Sequence, residues 1–322
     1  GRLQERPELE ALIGLDLADP TVALEHMDFV HADTRHSVLA KLVRQLRIDT
    51  VLHCAVRVDT PGPDREVHET NVIGTMNVLA ACAGPSSPVR RLVVKSSVAV
   101  YGAHPDDPSF LREEMAERRP PGDSLERALV EMEQLVQDFA LRNPRCTTTV
   151  LRLGYRLGVI DPTPLGRYLG LPVVPVFMGF DPRLQFLHEE DAAEAVFRAA
   201  VGEHPGVFNV AGDGVLLLSQ AIAMAGRRRA SVLPPYGRVL GGTALKAITG
   251  LDIGPHLADL LAYGLVVDCD RLLGGFGWTP ELTTRAVMLD FLDRTGPQLP
   301  ARSVPPSEYE LQAYLQRRRA RT

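Results

Sequence analysis

The sequence predicts an α/β protein, a Rossmann-type doubly wound parallel sheet with a small C-terminal α/β cap. Short runs rich in β-branched residues alternate along the chain with amphipathic stretches of helical length. Several of these runs are apolar throughout, which is typical of strands covered by helices on both faces. A strand–helix–strand order of this kind forms a parallel sheet through right-handed crossovers.

Six runs are the predicted strands, and four amphipathic stretches are the predicted helices. The strands are 12–16, 29–33, 50–56, 91–97, 147–153 and 207–211. The helices are about 36–47, 66–83, 123–142 and 189–201. Residues 161–185 are rich in Pro and Gly and are predicted to be loop-like, whereas the Gly-punctuated stretch 215–295 is typical of a cap.

Composition excludes several classes of function. The 322-residue chain is 45% hydrophobic and carries a net charge of −5, which gives no electrostatic reason to expect a nucleic-acid partner. No apolar run reaches the ~18 residues of a transmembrane segment. The four Cys residues are scattered without metal-ligand spacing, so we expect reduced thiols, a cytoplasmic location and no metal site.

Two carboxylates follow the first two predicted strands. Asp16 ends the first apolar run and Asp33 ends the next. An acid after the second strand of a Rossmann fold accepts hydrogen bonds from the ribose hydroxyls of a dinucleotide, although a lone Asp there is often a turn residue or N-cap. Because Asp16 would repel a 2′-phosphate, the pair predicts NAD rather than NADP.

The first strand of a Rossmann fold and its Gly-rich turn are missing from this chain. Residues 1–11 are typical of the end of the first crossover helix. In the strand order 3-2-1-4-5-6 the first strand is central, and without it two apolar strand edges face an empty slot. We therefore expect an N-terminal segment of roughly 25–30 residues in the native protein, which supplies this strand.

Eight short blocks occur in a fixed order along the chain. They are GLD (14–16), HADTR (31–35), VLHCAV (51–56), NVIGTMNVLAAC (71–82), VVKSSVAVYG (93–102), LRLGYRLG (151–158), QFLHEEDAAEAV (185–196) and GVFNVAGDG (206–214). This order resembles the extended short-chain dehydrogenase/reductases, the NAD-dependent epimerase/dehydratase family. The resemblance covers about residues 1–295 and is nearest to UDP-glucose 4-epimerase-like proteins of actinobacteria.

The resemblance implies a set of site residues. Those it assigns to the cofactor are Asp16, Asp33, Thr34, His53, Cys54, Ala55, Asn71 and Ser96. Asn71 also matches the structural asparagine of the active-site tetrad, and a helix-entry cap is its alternative role. Ser97 matches the catalytic serine, and a strand-end hydroxyl bonded to the backbone is its alternative role.

The chain departs from the family where acid–base chemistry is required. The family uses a tyrosine and, four residues later, a lysine on the same helix face, with a glutamate four residues beyond. Taking Glu133 as that glutamate places Leu125 and Leu129 in the tyrosine and lysine positions. Shifting the alignment by two residues places Asp123 and Arg127 in these positions instead. The tyrosine and the lysine are therefore absent in either alignment.

Other polar groups are weaker candidates. Lys95, two residues before Ser97, is the best local substitute for the lost groups, whereas Tyr101 is expected to pack. Glu126 and Glu131 are expected on a solvated helix face.

The substrate side departs from the family as well. Tyr155 stands at the family's nucleotide-binding asparagine, and Leu184 at its diphosphate-binding arginine. Arg183, one residue away, is an alternative diphosphate contact.

This interpretation divides the chain into three regions. Residues 1–160 form the NAD-binding Rossmann domain without its N-terminal strand, residues 161–296 form a mixed region with the remaining core strands and the substrate cap, and residues 297–322 form a Pro-rich linker and basic tail. Helices 66–83 and 123–142 have the apolar faces for the homodimer that the resemblance implies.

Three functional hypotheses follow from the loss of the catalytic tyrosine and lysine in a chain that keeps the cofactor residues. The first is an NAD(H)-binding protein with a degenerate active site, which acts as a cofactor-gated binding or regulatory module. The second is an active NAD-dependent oxidoreductase or sugar-nucleotide epimerase with substituted catalytic groups. The third is a structural protein without cofactor. A small-molecule ligand is expected, with neither nucleic acid nor a transmembrane segment.

Overall fold

A computed structural model of the protein describes residues 2–4, 9–20, 25–33, 38–58, 63–158, 163–232, 251 and 253–295. The strands are β1 (Ile13–Asp16), β2 (Asp28–His31), β3 (Thr50–His53), β4 (Arg91–Ser97), β5 (Thr147–Leu153), β6 (Val173–Phe177), β7 (Arg183–Leu184), β8 (Gly206–Val210), β9 (Leu216–Leu217), β10 (Arg228–Val232) and β11 (Gly264–Leu265). The helices are α1 (Val38–Gln45), α2 (Asp64–His68), α3 (Gly74–Cys82), α4 (Ser124–Arg142), α5 (Pro164–Leu169), α6 (Glu189–Val201), α7 (Leu218–Met224), α8 (Pro255–Tyr263), α9 (Asp270–Phe276) and α10 (Thr284–Arg294).

A four-stranded parallel sheet forms the centre of the molecule, in the order β3-β4-β5-β8. Its register pairs Val94 with His53 on one side and with Val150 on the other. Most residues of β4 and β5 are buried, because helices cover both faces of the sheet. The predicted Rossmann-type fold is therefore confirmed, with four of the six predicted strands in this sheet.

The first two predicted strands form a sheet of their own. β1 and β2 are parallel and pair Ile13 with Asp28 and Asp16 with His31. No strand pairing joins them to the four-stranded sheet within the described part of the chain. The sequence predicts a central strand between these two sheets, and this stays a prediction.

One long helical stretch replaces the helix predicted over 66–83. It begins at Asp64 as α2, widens to a π-helical turn over Glu69–Ile73, and continues as α3 to Cys82. Such π turns are frequent at functional sites. The helix predicted over 123–142 is α4, which begins after Asp123, whose side chain accepts a hydrogen bond from the Glu126 N–H as an N-cap.

The segment 161–185, predicted to be loop-like, contains α5, β6 and β7, so that prediction was wrong. Pro164 stands at the first turn of α5, where a missing N–H costs nothing, and Thr163 caps the helix by accepting from the Gly166 N–H. β6 then pairs in parallel with β10. The cap also holds a three-stranded sheet in the order β11-β7-β9.

A buried ion pair fixes α4 against the central sheet. The Arg152 guanidinium on β5 binds the Glu133 carboxylate on α4, with Nη2 2.6 Å from Oε2 and Nε 3.1 Å from each carboxylate oxygen. The Ser96 hydroxyl donates to Oε1 of the same carboxylate at 2.5 Å. Both charged side chains are almost completely buried, so each provides the counter-charge that the other requires.

The same guanidinium extends the network to the cap. Its Nη1 donates to the Tyr101 hydroxyl and to the Glu113 carbonyl, both at 2.8 Å. Tyr101 in turn donates to the Asn209 side chain at 2.7 Å, and the Glu113 carboxylate accepts from the Asn209 N–H at 2.8 Å. The Asn209 amide then donates to the Asp268 carbonyl. Each polar side chain of this network therefore has a hydrogen-bond partner, as a buried polar cluster requires.

Every helix among the residues that the structure describes is too short or too polar to cross a lipid bilayer. The predicted linker and basic tail, residues 297–322, lie outside the described residues.

We predict that Gly264→Ala destabilises the fold strongly. Gly264 has φ +76°, and a Cβ there would lie 2.5 Å from the Arg183 carbonyl oxygen. We expect a loss of about 2 kcal/mol or more in the free energy of unfolding, measured by urea denaturation. The matched control is Gly274→Ala in α9, where a Cβ meets nothing within 4 Å and Ala gains up to about 1 kcal/mol. Equal effects of the two changes would contradict the strain assigned to Gly264.

We predict that Glu133→Gln costs about 3–5 kcal/mol, because it leaves the Arg152 charge buried without its counter-charge. The control is Asp138→Asn on the same helix. Asp138 pairs with Arg142 at 3.7 Å on the exposed face, and loss of such a pair costs under about 0.5 kcal/mol. Urea denaturation of both variants measures the difference, and a Glu133→Gln loss as small as that of the control would refute the role given to the pair.

Candidate functional site

The carboxyl ends of the parallel strands meet at one edge of the sheet, where ligands of doubly wound folds bind. The register aligns the end of β3 at His53 with Val94, and the end of β4 at Ser97 with Leu153 on β5. The residues that the sequence assigns to the site therefore come from neighbouring strand ends and from the helices that follow them.

The two predicted adenosine contacts differ in exposure. Asp16 is exposed at the end of β1, and its Oδ1 accepts from the N–H groups of Leu17 and Ala18 at 2.6 and 3.2 Å. It therefore serves as a turn residue and still presents its carboxylate at the strand end. Asp33 is buried just after β2. Thr34, the third predicted contact, lies outside the described residues.

The end of β3 carries a buried histidine and an exposed backbone. The Thr75 hydroxyl donates to the Asn71 carbonyl at 2.6 Å and so accepts from His53 Nε2, 2.8 Å away. Burial, with the charge of Lys95, lowers the pKa of His53 from 6.5 to about 4, so the ring is neutral. Cys54 and Ala55, which follow, are exposed as a backbone contact for a cofactor requires.

Asn71 lies fully buried inside the π-helical turn. Its Oδ1 accepts from the Arg57 N–H at 2.8 Å, and its Nδ2 donates to the Arg57 carbonyl at 2.9 Å. The alternative role as a helix-entry cap was wrong, since the side chain instead holds the loop after β3. The sequence did not indicate this partner because Arg57 lies in another element.

The two serines at the end of β4 point to different partners. Ser96, assigned to the cofactor from the sequence, is buried and donates to the Glu133 carboxylate, so it supports α4. The Ser97 hydroxyl accepts from the Ala99 N–H at 3.1 Å and caps the short 3-10 turn Val98–Tyr101. Its backbone-bonded alternative role is therefore present, and its catalytic role stays a prediction.

The two leucines that the sequence assigned to the tyrosine and lysine positions belong to the hydrophobic core or pack against it. Leu129 has no exposed surface, and Leu125 is partly buried against the same core cluster. Leu129 lies four residues before Glu133 and therefore on the same helix face, which the ion pair turns inward. A side chain at this position reaches apolar neighbours rather than an open cleft.

Glu126 was expected on a solvated helix face, and this was wrong. Its side chain is buried, and Oε2 accepts from the Gly122 N–H at 2.6 Å. Gly102 makes the room, because a Cβ there would lie 2.1 Å from Glu126 Oε1. Glu131, the other residue of that prediction, is half exposed and lies 3.3 Å from His68.

Two other cations have defined positions. The Lys95 ammonium reaches past the strand end and donates to the Val56 carbonyl at 3.2 Å, which brings a positive charge to the loop after β3. The Arg183 guanidinium donates to the Ser109 carbonyl at 3.0 Å, whereas Leu184 is buried.

Tyr101 is buried, as expected, and burial raises its pKa to about 12, so it is no base at neutral pH.

Tyr155, the residue at the predicted nucleotide position, belongs to a polar cluster that the sequence did not indicate. Its hydroxyl lies 2.8 Å from Nε2 of His256, at the start of α8 in the cap. The other ring nitrogen, Nδ1, lies 3.5 Å from Oδ2 of Asp123, the N-cap of α4. No local pattern predicts this meeting, because His256 is over 100 residues from each partner.

The chemistry of these strand ends fits the adenosine half of a dinucleotide. Asp16 offers an exposed carboxylate, the group that accepts from a vicinal diol, and the neutral His53 adds no charge beside the exposed backbone of Cys54 and Ala55. These residues would hold the ribose and the pyrophosphate side of the cofactor.

We predict a pH dependence of stability that belongs to His53. The unfolded chain takes up a proton near pH 6.5, whereas the folded ring does so only near pH 4. Stability is therefore complete above about pH 6.5 and falls as the pH drops toward 4. Between about pH 7.5 and about pH 5 the native protein should lose about 2 kcal/mol more than His53→Gln. The exposed His26→Gln is the control, and urea denaturation is the measurement. Parallel pH curves for native protein and His53→Gln would refute the assignment.

Comparison with known proteins places the chain in a family. The sequence model described as the NAD dependent epimerase/dehydratase family matches residues 2–211. Uncharacterized proteins of Mycobacterium bovis and Mycobacterium tuberculosis are 36% identical over 301 residues, which are 92% of this chain and 80% of theirs.

Solved structures agree in fold. A dTDP-glucose 4,6-dehydratase of Bacillus anthracis, in complex with NAD, superposes with a TM-score of 0.64 at 14% identity and covers 88% of this chain and 87% of its own. A UDP-glucose 4-epimerase of Thermotoga maritima, with UDP-glucose, gives a TM-score of 0.64 at 18% identity and covers 88% and 90%. With the family match spanning well over half of its residues, the chain belongs to the NAD-dependent epimerase/dehydratase family.

Proposed function

We propose that this protein binds NAD(H) at the carboxyl ends of its strands without performing the family's tyrosine–lysine chemistry, and that it acts as a cofactor-gated binding or regulatory module. The observation that carries the proposal is the complete burial of Leu129 at the lysine position. In this proposal the site keeps its cofactor contacts, whereas the groups for proton transfer have been replaced.

The physical argument concerns proton transfer. A leucine neither holds a proton nor lowers the pKa of a neighbouring phenol, and general acid–base catalysis contributes about 10²–10⁴-fold to such reactions. Leu125 packs against the core beside Leu129. Tyr101, the tyrosine nearest along the chain to that helix face, is held neutral in the Arg152 network.

Cofactor binding is supported from two directions. The family is NAD-dependent by description, and similar structures contain NAD. The exposed Asp16 carboxylate at the end of β1 favours NAD over NADP, because its charge opposes a 2′-phosphate. Asp33 and the backbone of Cys54 and Ala55 extend this side of the site.

A second candidate function is an active NAD-dependent oxidoreductase or sugar-nucleotide epimerase with substituted groups. Tyr155 favours it, because its hydroxyl is paired with the imidazole of His256 next to Asp123, an arrangement able to move a proton. Lys95 supplies a cation at the loop after β3. UDP-glucose and dTDP-glucose are the first substrates to test, given the ligands and names of the similar structures.

A homodimer and a cytoplasmic location stay predictions. The helical stretch 64–82 and α4 pack side by side, and Ile73 and Met76 are exposed on the first of them. Exposed apolar side chains on neighbouring helices favour pairing with a second copy through this face.

Calorimetric titration of the full-length native protein with NAD⁺ tests the first proposal. We expect heat of binding and a thermal shift at millimolar NAD⁺, and Asp16→Ala should weaken binding about 10-fold or more because a charge-assisted hydrogen bond is lost. Asp19→Ala, an exposed carboxylate of the same loop, is the control and should bind as the native protein does. Absence of both heat and thermal shift at millimolar NAD⁺ would overturn the proposal.

The same preparation separates the two candidates. Incubation with NAD⁺ and each sugar nucleotide is followed by NADH absorbance and by product analysis. Sustained turnover that is lost in Tyr155→Phe and Ser97→Ala would favour the second candidate, whereas binding without turnover supports the first.

A further inference from the structure

The cluster at the N-terminal end of α4 contains three side chains whose ligand atoms converge. Asp123, Glu126 and His256 each offer one atom, and these atoms all lie within 4.8 Å of one another. The cluster joins the Rossmann domain to the cap, since His256 is the second residue of α8.

Two of the converging atoms lack the partners that buried polar atoms normally have. Asp123 Oδ2 and His256 Nδ1 are inaccessible to solvent, and neither makes a hydrogen bond. The Asp123 side chain is 9% exposed and that of His256 15%. Leaving such atoms unpaired costs about 1–3 kcal/mol each. A ligand bound between the two atoms would remove this cost.

The spacing of the two atoms does not suit a direct hydrogen bond. Oδ2 and Nδ1 are 3.5 Å apart, whereas an N–H···O hydrogen bond spans about 2.7–3.2 Å. Two ligands on a tetrahedral ion with bonds of about 2.0–2.1 Å lie roughly 3.3–3.4 Å apart. The observed distance is therefore close to that of two atoms sharing a metal ion.

Each of the three side chains also makes a polar contact on the side away from the point where they converge. His256 Nε2 lies 2.8 Å from the Tyr155 hydroxyl, so with Nε2 protonated Nδ1 presents a lone pair. Asp123 Oδ1 accepts from the Glu126 N–H at 2.8 Å. Glu126 Oε2 accepts from the Gly122 N–H at 2.6 Å. Outer contacts of this kind orient the ligands of metal sites.

Charge points the same way. Asp123 and Glu126 bring two carboxylates to the ring of His256, and the side chains of Asp123 and His256 are largely buried. Two carboxylates beside one imidazole are a site that a divalent cation neutralises.

We propose that Asp123, Glu126 and His256 bind a divalent transition-metal ion of the zinc class between α4 and the cap. Mixed carboxylate and imidazole ligands suit zinc, and three protein ligands leave a position open for water or a substrate oxygen. The sequence predicted no metal site, because His256 is remote from the two acids along the chain. The proposal does not depend on NAD binding.

Zinc titration of the full-length, untagged protein tests the proposal, after treatment with a chelator and its removal. We expect one equivalent of Zn²⁺ to bind by calorimetry, with a rise in melting temperature. Asp123→Asn, Glu126→Gln and His256→Ala should each weaken binding at least ~10-fold, because each removes a ligand. Circular dichroism of each variant without metal verifies that it is folded.

The matched control is Asp290→Asn. Asp290 lies 3.2 Å from His188 Nε2, but His188 Nδ1 already accepts from the Glu190 N–H, so this pair has no converging third ligand. The control should bind zinc as the native protein does. X-ray absorption at the zinc edge should show one imidazole and oxygen ligands.

Three results would overturn the proposal. They are the absence of saturable zinc binding, equal binding by the native protein and the three ligand variants, and a sulfur-containing zinc environment. If a ligand variant fails to fold, Tyr155→Phe replaces it as the readout. This variant removes the outer contact to His256 and should weaken binding about 10–100-fold.

Discussion

The buried pair of Glu133 and Arg152 is the constraint on which the rest of the site depends. Two buried charges cost several kcal/mol to desolvate, and they are tolerated only when every donor and acceptor is matched. Arg152 achieves this with the Glu133 carboxylate, the Tyr101 hydroxyl and the Glu113 carbonyl. The pair therefore fixes the rotation of α4 about its axis relative to β5, and with it the direction of every other side chain on that helix.

This fixed rotation also determines which residues of α4 face the core. Residues three and four apart share a helix face, so Glu126 and Leu129 lie on the buried face that Glu133 defines. A lysine at position 129 would be placed in a cluster of Met132, Val136 and other apolar residues, where an ammonium is expensive to bury. The two positions that the sequence assigned to the tyrosine and the lysine therefore hold leucines that pack against the core.

The sequence predicted what depends on local pattern and missed what depends on contacts between distant elements. The helix predicted over 189–201 matches α6, and the strands predicted over 91–97 and 147–153 match β4 and β5, because hydrophobic periodicity sets them. The burial of Glu126 depends instead on the absence of a side chain at Gly102, 24 residues earlier. The approach of His256 to Asp123 depends on how the cap folds back, which no local pattern contains.

A second polar cluster lies at the N-terminal end of α4, where this helix meets the cap. Asp123 and Glu126 belong to the helix that the ion pair holds in place, whereas His256 belongs to α8 of the cap. The cap is also tied to the core through Asn209, whose amide bonds both Leu111 and Asp268. A ligand shifts a conformational equilibrium only as far as it binds two arrangements differently. A ligand shared by Asp123 and His256 meets this condition, because it binds fully only when the cap lies against α4. Such a ligand would therefore link the position of the cap to the site at the strand ends.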